Sequence, residues 1–219
     1  MDWRPLFVSL QVGLVSTAIA LLLGAALGAW LAHRSTRWTG ALVLLPLVLP
    51  PTVLGYYLLV LIGRRGPVGQ LYEALTGQPL VFTLKAAVIA ACAATIPIVA
   101  RQLAAAFAEI PHEVKEAARI DGAGGLSMFL WIQLPLIRGP IAAAAAIAFA
   151  RAVGDFGTTL MVAGNIPGRT QTASIAIYDL INAGKDDQAV VLVVAISVVA
   201  LAVLALAGGR AEGTRTKSA

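Results

Sequence analysis

The chain has 219 residues, of which 59% are hydrophobic and 12% charged, about half the charged share of an ordinary soluble domain. A soluble fold of this length, expected to be a single domain, cannot hide so much apolar surface, so lipid must cover part of it. The 16 Lys and Arg residues give a net charge of +5, but they are scattered and lack interleaved aromatics, which argues against a nucleic-acid partner.

A crossing helix needs about 20 mostly apolar residues, because backbone groups in hydrocarbon must pair within the segment. Five stretches qualify, at about 6–32, 41–62, 82–103, 134–153 and 188–208. The first follows Arg4 and is far longer than the roughly 7–15 residues of a signal h-region, so it reads as a retained span. It holds Gly24 and Gly28, a spacing that lets two helices approach closely; plain tolerance of glycine in a membrane helix is the competing reading. The second contains Pro46, Pro50 and Pro51. Each removes a backbone donor, which gives either a structural kink or a helix opened toward a cavity. The third is bounded by Lys85 and Arg101, long side chains that can snorkel to the interface. It carries the single cysteine, Cys92, so no disulfide within the chain is expected, and His33 and His112 lie too far apart to suggest a metal site. Arg138 stands near the start of the fourth span, and the fifth has no internal charge.

An odd span count puts the termini on opposite sides, and the excess of Lys and Arg should orient the set. With loops 33–40 and 104–133 and the C-terminal tail inside, the division is nine (Arg34, Arg37, Arg101, Lys115, Arg119, Arg138, Arg210, Arg215, Lys217) against seven. Charge alone does not settle the orientation.

The loop at 104–133 has its own organisation. Pro111 suits the first turn of a helix, Glu113 complements the N-terminal dipole, and Gly122 is placed to end it. Val114, Ala117 and Ala118 share one face of the resulting short helix, flat enough for another protein to press against.

The string Glu116-Ala117-Ala118, three residues, Gly122, nine residues, Ile132, one residue, Leu134-Pro135 resembles the EAA loop of binding-protein-dependent ABC importer permeases at every specified position. The resemblance implies an all-α integral membrane bundle of the MetI-like type with about five transmembrane helices. It implies a cytoplasmic loop in which Glu116, Ala117, Ala118 and Gly122 form a coupling helix docked on an ATPase subunit, with Ile132, Leu134 and Pro135 leading into the next span. The N-terminus would then lie outside and the C-terminus in the cytoplasm. No G-x-x-x-x-G-K-[ST] phosphate loop occurs in the chain, so ATP and its magnesium ion would belong to the partner subunit, and this chain would carry no cofactor or catalytic residue.

Between the fourth and fifth spans, 154–187 reads as two short helices. The first ends at Gly164-Asn165, with Pro167-Gly168 as a turn; the second has Ala173, Ile177, Leu180 and Ile181 on one face and Gly184 as its cap. They form either an outer gate of a pathway or a tucked external loop. Arg151 and Asp155, four apart on a helix, can pair, as a structural ion pair or as a substrate contact. The run Gly154-Asp155-Phe156-Gly157, then Gly164-Asn165-Ile166-Pro167-Gly168, Thr170-Gln171-Thr172 and Ile175-Ala176-Ile177-Tyr178 is similar to molybdate permeases of ABC importers, with Asp155 where that family usually has Glu. Sulfate and thiosulfate permeases share part of the pattern and supply the alternative cargo.

The resemblance implies a homodimeric inner-membrane permease for molybdate or tungstate, working with two ATPase subunits and an extracytoplasmic oxyanion-binding protein. A doubly negative tetrahedral anion needs hydrogen-bond donors without a tight trap; Thr158, Thr159, Asn165 and Thr95 are the candidates, beside Arg151 and Asp155. A membrane-embedded enzyme is the remote alternative, since the acidic pair Asp186-Asp187 has no partner motif. A passive channel would have no use for a coupling loop.

Overall fold

The computed structural model describes residues 2–34 and 36–215, and among these every regular element is a helix. Lys217, one of the residues in the charge count above, lies outside the described residues. The centre is a parallel pair, α1 (Arg4–Arg34) and α5 (Leu84–Ala108), in which Ser16 meets Cys92 and Gly28 meets Ala104. With 31 residues, α1 extends about 45 Å at about 1.5 Å per residue, longer than the roughly 30 Å hydrocarbon core. Two glycines let α5 approach: a β-carbon at Gly24 would come within 2.7 Å of Val99 Cγ1, and one at Gly28 within 2.9 Å of the Ala100 carbonyl oxygen. The α5 side of the core is equally small, with Ala86, Ala87, Ala90, Ala91 and Ala94 all buried. Thr83 caps α5 by accepting from the Ala86 N–H. The helix runs beyond the expected end at 103 to Ala108, so Arg101 sits exposed within it rather than at its boundary.

The stretch 41–62, expected as one span, is two helices, α2 (Arg37–Val48) and α3 (Pro51–Ile62), whose axes differ by 105°. The cause is the Pro50-Pro51 pair. Leu49 precedes a proline and is extended (φ −70°, ψ 138°), Pro50 follows at ψ 140°, and Pro51 opens α3. A short helix unforeseen in the sequence follows, α4 (Pro67–Thr76); Pro67 begins it and Gly77, at φ 71°, ends it.

After α6 (His112–Ile120) the chain winds through α7 (Gly125–Ser127), a π-helical stretch over Met128–Gln133 and α8 (Leu134–Leu136). It then turns by 78° into α9 (Arg138–Val153). The span expected from 134 thus starts at Arg138. Pro140 has no N–H to give the Leu136 carbonyl four residues back, which places the break at Ile137. Two short helices, α10 (Gly157–Ala163) and α11 (Ala173–Asn182), lead into α12 (Asp186–Arg215). Along α12, Val190, Val194, Val198 and Leu201 are exposed, as expected of a helix facing lipid rather than water. α1, α5 and α12 are each long and apolar enough to cross a membrane, and the two bent pairs bring the number to five if each makes one crossing.

The core divides along α5. Around its first half, Val8, Val12, Ile62, Leu80 and Val162 form one cluster. Around its second half, Ala20, Phe107, Ile110, Ile137 and Ala144 form another. The α6–α8 segment is therefore anchored at one end of the bundle, and α4 with the α10–α11 turn at the opposite end.

Candidate coupling and translocation sites

At the first end, α6 is held at a set angle to α5. Lys115 Nζ donates to the Phe107 carbonyl at 3.2 Å, a C-terminal carbonyl of α5 that has no helical partner and that favours a cation. Gly122 ends the segment at φ 87°, a conformation that costs other L-residues roughly 1–2 kcal/mol. The Ala123 N–H returns to the Ala118 carbonyl at 2.9 Å.

The faces of α6 differ from the sequence expectation in one residue. Ala118 is buried against its own chain, whereas Val114, Glu116 and Ala117 are exposed. The open surface gains two residues that sequence periodicity did not single out, Ile120 at 86% and Leu126 at 72% exposure. Glu116 also faces out and sits 3.2 Å from His112 Nδ1. Further on, Ile132 and Leu134 are half-buried and Pro135 is exposed. Leu134 and Phe129 pack onto the Phe107 cluster, with the Phe107 and Phe129 rings 5.8 Å apart. α6 is thus bonded to α5 through Lys115, and Leu134 of α8 packs on the cluster that α5 and α9 share.

Toward the other end, Asp155 organises the α9–α10 corner. It is 2% exposed, and both carboxylate oxygens are fully used. Oδ1 accepts from Arg151 at 3.0 Å and from the Thr158 hydroxyl at 3.3 Å; Oδ2 accepts from the Thr159 N–H at 2.9 Å and its hydroxyl at 2.8 Å. A buried carboxylate is tolerated when it is paired and hydrogen-bonded in this way. Of the predicted pathway residues, the structure brings Arg151, Asp155, Thr158 and Thr159 together and sets Asn165 apart.

This arrangement corrects the expectation that the threonines offer free donors. Thr158 and Thr159 are buried, and both hydroxyls are committed to Asp155. Thr95 is also buried, donating back to the Ala91 carbonyl at 2.8 Å. They lost their freedom because an unpaired carboxylate in this interior would cost more than the threonines gain by staying open. Arg151 is different: its side chain is 36% exposed, and one of its five N–H donors is engaged by Asp155.

Asn165 belongs to a separate polar knot. Its Nδ2 donates to Asp179 at 2.6 Å, its oxygen accepts from Gln171 at 3.0 Å, and Gln171 also donates to Asp179 at 2.9 Å. Gly164 at φ 70° and Gly168 at φ 73° make the turn around it. Ser9 of α1 fastens the far side by accepting from the Ala173 N–H at 2.8 Å. Gln171 and Asp179 were not singled out from the sequence; no local motif announces a contact between a turn and the next helix.

Comparison with known proteins agrees with this architecture. The chain is 39% identical over 191 residues to the molybdenum transport system permease protein ModB of Azotobacter vinelandii, covering 86% of this chain and 84% of that one. It is 36% identical over 204 residues to the ModB protein of Escherichia coli K12, covering 90% and 88%. A crystal structure of a bacterial alginate ABC transporter, in complex with an alginate pentasaccharide-bound periplasmic protein, contains a chain of the same fold, with a TM-score of 0.74 over 93% of this chain and 76% of that one at 18% identity. Residues 13–212 match the family described as the binding-protein-dependent transport system inner membrane component, and the chain belongs to that family.

Proposed function

We propose that this chain is the permease subunit of an ATP-driven importer that carries molybdate or tungstate across the cytoplasmic membrane. The observation that carries the cargo is the similarity to molybdenum permeases over 86–90% of the chain, which includes the whole of 154–178. These relatives do not favour the sulfate-type alternative.

The coupling assignment rests on the α6 region. Glu116, Ala117 and the neighbouring exposed Ile120 and Leu126 form the surface that meets a separate ATPase dimer, which binds ATP and magnesium. Gly122, Ile132, Leu134 and Pro135 carry the displacement into α9. A short helix fixed to two long ones transmits a rigid-body shift between discrete states. On this reading α6 lies in the cytoplasm, with the N-terminus and the α10–α11 turn outside. Two copies of the chain would enclose the path, supplied by an extracytoplasmic oxyanion-binding protein. Along it, Arg151 is the cation that an anion meets, held by Asp155 with Thr158 and Thr159 locking the carboxylate.

The test is reconstitution of permease and ATPase in liposomes with loaded binding protein. Molybdate-loaded protein should stimulate hydrolysis and metal uptake. Stimulation by sulfate-loaded protein alone would overturn the cargo, and uptake without hydrolysis would overturn the coupling.

A further inference from the structure

At the end opposite α6 lies a cleft of about 400 Å³ between the α3–α4 corner, the 78–83 segment and the α10–α11 turn. Two arginines line it, Arg64 and Arg169, from parts of the chain a hundred residues apart, with Gln78 and Thr83 as polar neighbours and Phe82 and Ile166 as walls. The balance of charge in it is positive. Glu73 stands 3.7 Å from Arg64 Nε, longer than a hydrogen-bonded pair, and Arg169 makes no ion pair among the described residues.

The wall of the cleft is held in a strained conformation. Phe82 has φ 60°, the one non-glycine positive φ among the described residues, and for a bulky side chain this is a true outlier. It is fixed from both sides. Its N–H donates to the Val162 carbonyl at 2.9 Å, and its ring lies so near Gly164 that a β-carbon there would come within 2.9 Å of Cδ1. The strain therefore couples the cleft to α10, the helix that Asp155 anchors. Strain of this kind is retained where the surroundings over-determine it, typically at ligand clamps and gates.

We propose that this cleft is an entry site for a tetrahedral oxyanion, with Arg64 and Arg169 as its cationic jaws. The proposal deepens the import reading above and rests on it for the direction of travel. Guanidinium forks match oxyanions in planar, bidentate fashion, and a cleft with one sign of charge raises the local anion concentration. The volume is about thirteen times the roughly 30 Å³ share of one water, so an anion enters with much of its hydration shell. Loose binding of that sort lets the anion leave again, as conduction requires. A lipid phosphate offers the same chemistry, as does an acidic patch of a docking protein, and the experiment separates them.

The purified complex in a phosphate-free detergent is treated with phenylglyoxal, and modification of each arginine is followed by peptide mass spectrometry. Molybdate, tungstate or sulfate at 1–10 mM, against chloride at equal ionic strength, should slow modification of Arg64 and Arg169 at least threefold and leave Arg119 unchanged. Arg64→Gln with Arg169→Gln should lower import at limiting anion five- to tenfold, with the complex recovered at wild-type yield and its affinity for the loaded binding protein retained. Arg64→Lys should recover part of the loss. Equal modification with and without oxyanion overturns the proposal. So does protection by phosphatidylglycerol alone, or a loss of binding-protein affinity without anion protection. If the wild-type complex imports no molybdate while both arginines remain protected, the import reading fails and the cleft stands.

Discussion

Gly55 lies against Met161 so closely that a β-carbon on it would sit 2.7 Å from the Met161 Cβ and 3.2 Å from the Thr158 Cα. This contact joins α3, beyond the proline break, to α10, beyond the Asp155 corner. Two helices too short to cross a bilayer are thus packed into one unit. Gly55→Leu should separate them and lower stability by about 1–3 kcal/mol, the usual cost of overpacking. Thermal unfolding in detergent reads the loss, and an unchanged melting temperature would mean that the seam opens freely.

Asp155→Asn should cost about 1.5–3 kcal/mol, because it leaves four donors facing an amide that can accept on one atom only. Arg151→Gln should cost less, since the arginine is partly exposed and can be replaced by water. Denaturant melts of the two variants give the order. Equal losses would argue that the guanidinium, rather than the threonine hydroxyls and backbone N–H, holds the carboxylate.

Lys115→Met frees the α5–α6 angle while keeping the length of the side chain. In the reconstituted complex, import per ATP hydrolysed should fall severalfold with hydrolysis largely maintained. A proportional fall of both would indicate failed assembly instead, and the role given to the Lys115–Phe107 contact would be withdrawn.

In a Cys92→Ala background, Asn165→Cys should react with a membrane-impermeant thiol reagent added outside. Thr159→Cys, at a site 1% exposed, should be at least tenfold slower in the resting state. Reaction of Asn165→Cys from the cytoplasmic face alone would invert the proposed orientation.

Tyr72 offers a titration of the corner opposite α6. Lys85 Nζ donates to its phenol oxygen at 2.8 Å and lies 5.4 Å from the ring centroid. That hydrogen bond, first of all, favours the phenolate and brings Tyr72 below its ordinary value of 10.0. A depressed acid gains its partner's help as it ionises, so Lys85→Met should shift the Tyr72 absorbance transition to higher pH. A transition that stays in place would show that the ammonium is elsewhere in solution.

The helical class was legible because runs without charge leave a chain few options in lipid. Gly122, Gly164 and Gly184 were legible as helix ends, and all three have positive φ. The breaks were visible only as proline positions. Whether Pro46 or Pro50 would turn the chain depends on what neighbouring helices leave unpaired, and Pro46 and Pro97 both sit inside continuous helices. The candidate site was read as a set of donors, but donors are defined by their acceptors. Thr158 and Thr159 turned inward because Asp155 lies one helical turn before them, a pairing that spacing permits but does not compel. The Arg64–Arg169 cleft was beyond reach, since its two halves meet only through tertiary packing.

The π-helical stretch of six residues from Met128 to Gln133 makes the orientation of α6 a matter of counting. A π-turn is an α-turn with one residue to spare, so shortening this stretch by a single residue would relax it locally at little cost. That deletion would leave the flanking turns close to their present orientation, whereas a deletion within regular α-helix would rotate everything before it by about 100° and draw it in by about 1.5 Å. Sequence drift here can exchange one apolar residue for another without consequence. A change of length elsewhere between α6 and α9 cannot be absorbed in this way, because the exposed face of α6 would turn to a new direction.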